Sequence, residues 1–547
     1  MTRATSVLCA LLTACGSAGT DPRWRPTGER TPRPGGTLHL AMEFSVSSLD
    51  PLVAADEVML YFTHALFDTL VTYEPSNPDV PTAGLAFRPG LATAWTISDD
   101  GLVYTFTLRP GLVYSDGTPV AAADFVWTLD RQLQKPGSAL GAMLLDIAGA
   151  REVVAGTAPH ASGLVVPAPD TLEIHLARPN AALLGILAMP AATPQPVGHD
   201  PDRRAPLGTG PYMLERWDEG ERVVLRRNPR HRDAAHVYLE TLDFLENVPR
   251  DLQFLKFQRG EIDTAEHLEA PDALWLDAQP AWARYVRTGE TLQSYGSRMN
   301  VTVKPFDDVR VRQALNYALD KSHSVRLLQG AGVEAHGILP PTLPGFNPAL
   351  APYPHDPAKA RALLAAAGYP DGFDTDYVVM ANDEALRLAA SLQADLAEVG
   401  VRVHVRSEAF ATFLPELMSR TGPPFAKATF GFDFPDAADA FDLQFGTAGI
   451  ADEGASNLSF YSNPTLDALL ATARAERDPA ARAALYRQAE TIVYDDAVWL
   501  WDYHQKAVEV VQPYVANYQP HPVWIRDYSH TWLDLGPDGE PVPRGAP

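Results

Sequence analysis

The stretch Phe430–Asp436, FGFDFPD, sets two carboxylates among three phenyl rings, with a proline between the acids. Stripping water from a carboxylate disfavours its charged form, so an acid among rings calls for a cation to meet it. The plain alternative is a turn, because Asp-Phe-Pro-Asp is ordinary loop chemistry. Other reactive constellations are scarce. The chain has no Gly-x-Ser-x-Gly elbow, no His-Glu-x-x-His helix and no Gly-Lys dipeptide from which a P-loop could be built. His404 and His504 are isolated and read as solvated or structural. Carboxylate pairs abound, but no spacing singles out two of them, so an exported hydrolase stays open as a rival reading.

The elements that must position these residues belong to a large chain. At 547 residues and 59.5 kDa it exceeds what one hydrophobic core serves, and two or three domains are expected. Hydrophobic content of 46% with 20% charged residues suits a globular body rather than disorder. A net charge of −24 argues against nucleic acid as a partner, since phosphate binding draws on Lys and Arg. Leu102, Tyr104, Phe106 and Leu108 alternate with polar residues and predict a half-buried strand. A helix is expected over Ala121–Leu133, and another around Val311, Leu315 and Leu319. Asp356-Pro357 and Asp478-Pro479 each read as an N-cap followed by a first-turn proline, with Gly368 closing the first of these helices. Strands and helices interleave throughout, which gives a layered α/β or α+β arrangement.

Both cysteines, Cys9 and Cys15, fall within the first fifteen residues, so the folded body is expected to carry no disulfide and no thiolate metal site. MTRATSVLCALLTAC combines Arg3, a short apolar run and a small residue before Cys15. Leu12-Thr13-Ala14-Cys15 looks like a bacterial lipobox, which predicts a signal peptide over 1–14 and a diacylglycerol-bearing Cys15. An ordinary secretory signal is the alternative; either way the protein is exported. Residues 15–35, rich in Gly, Pro and Arg, read as a flexible tether from a membrane to the folded body.

The chain resembles the extracellular solute-binding proteins of family 5, the class serving peptide and nickel ABC importers. The matching segments run in order. They are GGTLHLAMEFSVSSLDP (Gly35–Pro51), the strand-turn-helix signature Leu91–Arg131, GTGPYMLERW (Gly208–Trp217) with RRNPRH (Arg226–His231), Met299–Ser322, Asp356–Phe373 and FGFDFPDAADAF (Phe430–Phe441). The resemblance implies a mixed α/β, periplasmic-binding-protein-like type II fold of two lobes joined by hinge strands around a ligand cleft. Lobe I would cover 36–292, with an extra subdomain at about 60–200, lobe II 293–497, and 498–547 would return to lobe I.

It also implies a site. Asp433 maps onto the acid that pairs with the free α-amino group of bound peptides, with Phe430, Phe432 and Phe434 shaping the pocket around it. Lys427 stands where some oligopeptide binders carry an arginine that meets a ligand carboxylate. The main chain at Gly431 and its neighbours, and at Ala54–Val58 including Ala55 and Asp56, resembles segments that pair with an extended peptide. Trp499 and Trp501, two apart, would share one strand face, either lining the cleft or packing in the core. The expected protein is the peptide-capturing, non-enzymatic component of an importer, a monomer without cofactor or metal, lipid-anchored and facing the periplasm or cell exterior. Its partners would be a permease and an ATPase. Phe430 or Phe432 stands near the family's usual Trp, and Ala437 replaces a Pro. Chelated nickel, oligosaccharides, opines or haem therefore stay open as cargo, as does a signalling lipoprotein.

Overall fold

The computed structural model describes residues 31–534, except 54–56, 78–79, 81, 200–201, 267, 269, 280–281, 283–284 and 524–525. The expected leader, Cys15, nearly all of the tether, and Ala55 and Asp56 lie outside the described residues.

Three main sheets organise the chain. In the first, Thr37–Ala41 pairs in parallel with Thr241–Leu245, and Arg222–Arg227 and Tyr212–Asp218 complete it antiparallel. Leu38, Leu242, Phe244, Val223 and Leu225 are fully buried on its inner face. The Gly-Thr-Gly-Pro-Tyr segment is read by close approach. A Cβ at Gly208 would stand 1.9 Å from the Leu66 carbonyl oxygen, and one at Gly210 would stand 2.4 Å from the Leu66 carbonyl carbon. Only glycine lets this segment lie so near the end of the helix Glu57–Leu66.

A second sheet, Ala92–Ile97, Val103–Leu108, Thr171–His175 and Leu164–Ala168, carries the predicted alternating strand, with Tyr104, Phe106 and Leu108 buried. The helix Ala122–Gln134 shares that core, burying Phe125 and Leu129, and the Asp124 carboxylate accepts the Ala121 amide at its start. The third sheet has seven strands, running Thr264–Ala265, Trp499–Val511, Val286–Met299, Phe425–Gly431, Asp374–Met380 and Arg402–Glu408, with Gly332–Glu334 also on Trp499–Val511. Val309–Ala318 and Pro357–Ala366 pack on its Leu500 face. Pro464–Ala475 and Pro479–Asp495 pack on the opposite, Trp499 face. Asp356 and Asp478 cap their helices, accepting the amides of Lys359 and Ala481, and Gly368 follows the first in left-handed geometry.

Two strands belong to both halves. Val286–Met299 and Trp499–Val511 have 14 and 13 residues, a span of roughly 45 Å at the usual rise per residue. They pair from Val286↔Val510 to Arg298↔Trp499, with register shifts between Glu290 and Ser294 and between Tyr295 and Gly296. The expected boundary at 293 therefore falls inside one paired strand, and that at 498 one residue before the other begins. Packing against the first sheet resumes only at Val511, Tyr514 and Val515.

The two halves touch beyond these strands. The Ala181 amide donates to the Arg474 carbonyl at 3.0 Å, and Arg477 donates to the Ser98 and Asp99 carbonyls at 2.8 and 2.9 Å. One continuous apolar core joins Leu183, Ile186 and Leu187 of the second sheet's layer to Phe434, Phe441 and Trp501. The lobes are closed.

Candidate functional site between the lobes

The strand Phe425–Gly431 ends at the junction and hands the chain to the segment containing the acids. Its alternation sends Ala426, Ala428 and Phe430 to the Trp499 face and Lys427, Thr429 and Gly431 to the other. Phe430, Phe432 and Phe434 are buried, at 7%, 2% and 3% exposure. Phe430 and Phe432 meet edge to face at 4.9 Å, and Phe434 enters the notch at Gly185. The three rings are thus packing groups of the lobe junction, and they leave Asp433 between them on the solvent side.

The three acids of this segment differ in their surroundings. Asp436 caps the turn Ala437–Ala440, accepting the Ala438 amide at 2.8 Å, and forms a two-pronged pair with Arg482. Asp439 is buried; its Oδ2 accepts the Asp433 amide at 2.6 Å, while Oδ1 has no partner. Burial first, and the neighbouring Asp433 charge second, push its carboxyl well above the usual range. The Asp433 carboxylate is exposed, yet among the described residues no cation or donor reaches it. Desolvation by the surrounding protein pushes its carboxyl up to about 6.

Lys427 is placed differently from the expectation. Its Nζ lies 3.4 Å from Asp502, beneath the stacked rings of Tyr295 and Tyr503, and the side chain is largely buried. It faces away from Phe430 and already has a counter-ion, so it does not stand ready for a ligand carboxylate. Trp499 and Trp501 share a face as expected. They stack at 5.8 Å, at 0% and 1% exposure, with Phe445 edge-on to both. The π-helical turn Phe441–Phe445 covers them, so they build the core rather than an open cleft wall. Gly431 and Thr429 are exposed, with Gly431 opposite Gln293. His504 is buried and neutral, its Nδ1 bonded to the Ser294 hydroxyl, while His404 is exposed beside Asp374. Among the described residues no group of three or more His, Cys, Asp or Glu is placed to hold a metal ion, and no helix is long and apolar enough to cross a membrane.

Sequence reading missed Arg482, Asp439, Gly185 and Tyr73 as parts of this neighbourhood. Asp439 lies in the quoted FGFDFPDAADAF, but no spacing rule marks it. The other three approach only through the tertiary fold.

Two lobes joined by long paired strands, with Asp433 at their junction, make a fold of the binding-protein kind. Residues 86–452 match the bacterial extracellular solute-binding proteins, family 5 Middle, and the chain belongs to that family. It is similar to the glutathione-binding protein GsiB of Salmonella typhimurium, 29% identical over 84% of this chain and 91% of that one. The dipeptide-binding protein of Escherichia coli is also 29% identical, over 86% and 92%. Among solved structures, clavulanic acid biosynthesis oligopeptide binding protein 2 superposes with a TM-score of 0.83 at 27% identity, covering 92% of this chain and 96% of that one.

Proposed function

We propose that the protein is the solute-capturing component of an ABC importer, that its cargo is peptide-like, and that Asp433 anchors the cargo's free amine. The observation that carries this reading is the Asp433 carboxylate, open to solvent at the lobe junction, without a partner, and shifted toward its protonated form. An incoming ammonium supplies the missing charge. Such a pair gains about 4 kcal/mol at 4 Å separation in a partly desolvated site, against about 1 kcal/mol in water. The exposed main chain at Thr429 and Gly431 offers backbone pairing to an extended ligand without selecting its side chains. The names of the relatives, glutathione-binding, dipeptide-binding and oligopeptide-binding, support cargo of this class.

Ligand contacts to both lobes stabilise the closed form, and only that difference drives closure. The closed face is then presented to a permease, with ATP hydrolysed by a separate subunit. The protein acts without catalysis, as an exported monomer anchored through a lipidated Cys15. Isothermal titration of wild type and Asp433→Asn with alanine peptides of two to five residues and with glutathione tests the reading. It expects wild-type binding and a loss of about 2–4 kcal/mol, roughly 30- to 1000-fold, in the variant. Equal affinities for both proteins would refute the amine anchor.

A further inference from the structure

A cavity of about 140 Å3 lies behind the paired hinge strands. Thr288–Glu290 and Lys506 form one wall, Gln519, Pro520 and Pro522 a second, and Ser76 of lobe I part of a third. The cavity opens away from the face that carries Lys427. Side chains alternate along Trp499–Val511, and Gln505 accepts the Tyr295 hydroxyl at 3.0 Å, on the side where Tyr295 covers Lys427. Lys506, the next residue, therefore points to the opposite face. Glu290 stands directly across from Lys506 in the register and shares that face. Pro522 fixes the second wall, because its carbonyl accepts the Leu292 amide at 3.0 Å.

The polar groups facing this space carry opposite charges and are not hydrogen-bonded to each other. Glu290 Oε1 and Lys506 Nζ stand 3.7 Å apart, with side chains 27% and 35% exposed. A closed ammonium–carboxylate bond is about 2.7–2.9 Å long, so the pair leaves its donors and acceptors to spend elsewhere. Ser76 Oγ is buried on the wall of the same cavity without any partner. Such an unmade bond calls for a ligand or water.

We infer that this cavity is a second ligand site, apart from the cargo cleft, for a small free α-amino acid in its zwitterionic form. The ligand's ammonium meets the Glu290 carboxylate, and its carboxylate meets the Lys506 ammonium. The Ser76 hydroxyl and the Gln519 amide supply further hydrogen bonds. One carbon separates the two charged groups of an α-amino acid, which suits protein charges standing side by side. A simple carboxylate would set a second acid against Glu290, and a simple amine a second cation against Lys506. At about 30 Å3 per water the space holds four or five waters, the bulk of glycine or alanine. An occupant ties lobe I to both hinge strands at Glu290, where their register begins to shift.

Equilibrium dialysis with radiolabelled glycine at pH 7 tests this on the wild type, Lys506→Met, Glu290→Gln, Ser76→Ala and Asp433→Asn. Wild type should bind glycine with a Kd of about 1 mM or tighter. Lys506→Met and Glu290→Gln should each lose at least about tenfold, and Ser76→Ala about threefold. Acetate and methylammonium, each carrying half of the ligand's charge, should compete at least about tenfold more weakly than alanine. Asp433→Asn should bind glycine as the wild type does, because the site stands apart from the amine anchor. No binding by wild type at about 10 mM glycine would mean a cavity of water only, and would overturn the site. Equal binding by wild type, Lys506→Met and Glu290→Gln would overturn it too. Glycine lost in Asp433→Asn but kept in Lys506→Met would put it in the cargo cleft, and the second site would fall while the amine anchor stood. The exposed Glu290–Lys506 pair is worth about 1 kcal/mol or less to the fold, so both charge variants remain folded and decide the matter.

Discussion

Phe434 of lobe II occupies a notch that exists because residue 185 of lobe I is glycine. A Cβ built there would lie 2.7 Å from the Phe434 ring, closer than carbon atoms pack. The contact belongs to the closed state, so Gly185→Ala should leave each lobe intact and resist closure. The helix itself gains about 0.5–1 kcal/mol of propensity, so thermal stability should not drop. Ligand affinity should fall about tenfold, the equivalent of about 1.4 kcal/mol on the closure equilibrium. Titration and small-angle scattering of the loaded protein measure both.

Arg477 is a second closure contact. From the turn between the helices Pro464–Ala475 and Pro479–Asp495 it donates to two carbonyls of the Ser98–Gly101 turn. Both partners are exposed, so the contact is expected to be worth about 1 kcal/mol or less. Arg477→Ala should raise the ligand dissociation rate a few-fold with little change in association, as stopped-flow fluorescence would show. A large loss of stability instead would mean that Arg477 serves the lobe rather than its closure.

Asp436 carries structure, through its cap on Ala437–Ala440 and its pair with Arg482. Removing one side of a largely buried ion pair typically costs about 3–5 kcal/mol. Asp436→Ala should lower stability in urea by about that amount. Asp436→Asn, which keeps an N-cap oxygen, should lose about 1 kcal/mol less.

Much of this arrangement was legible in the sequence because its signals are local. The Asp-Pro helix starts and the alternating strand ending at Leu108 each act within a few residues. Asp433 was legible as an acid among rings. Its neighbours were not, because their roles are set by distant chain. Lys427 reads as a free cation until Asp502, 75 residues on, neutralises it. Trp499 and Trp501 reveal by spacing that they share a face, but Phe445 decides that the face is covered. The length of the hinge strands likewise emerges only from pairing, and no composition change marks the expected boundaries at 293 and 498.

His504 gives a pH signature. Burial holds it down to about 3, against 6.5 when unfolded, so the unfolded chain takes up a proton first as pH falls. The stability it contributes is present above pH 6.5 and is lost progressively between about 6.5 and 3. His521, held down to about 4 by burial, acts in the same direction. His504→Gln should flatten the acid limb of a stability–pH curve across this window while changing stability at pH 8 much less. An unchanged slope would place the acid sensitivity elsewhere.

The central claim is that Asp433 waits uncompensated for a cation, and 13C-carboxyl NMR of aspartate-labelled protein, assigned with Asp433→Asn, tests it most directly. In the empty protein the Asp433 carboxyl should titrate near 6; with a saturating free-amine tripeptide its midpoint should drop below the ordinary aspartate value of 3.8. A midpoint that stays the same when the peptide binds would contradict the account.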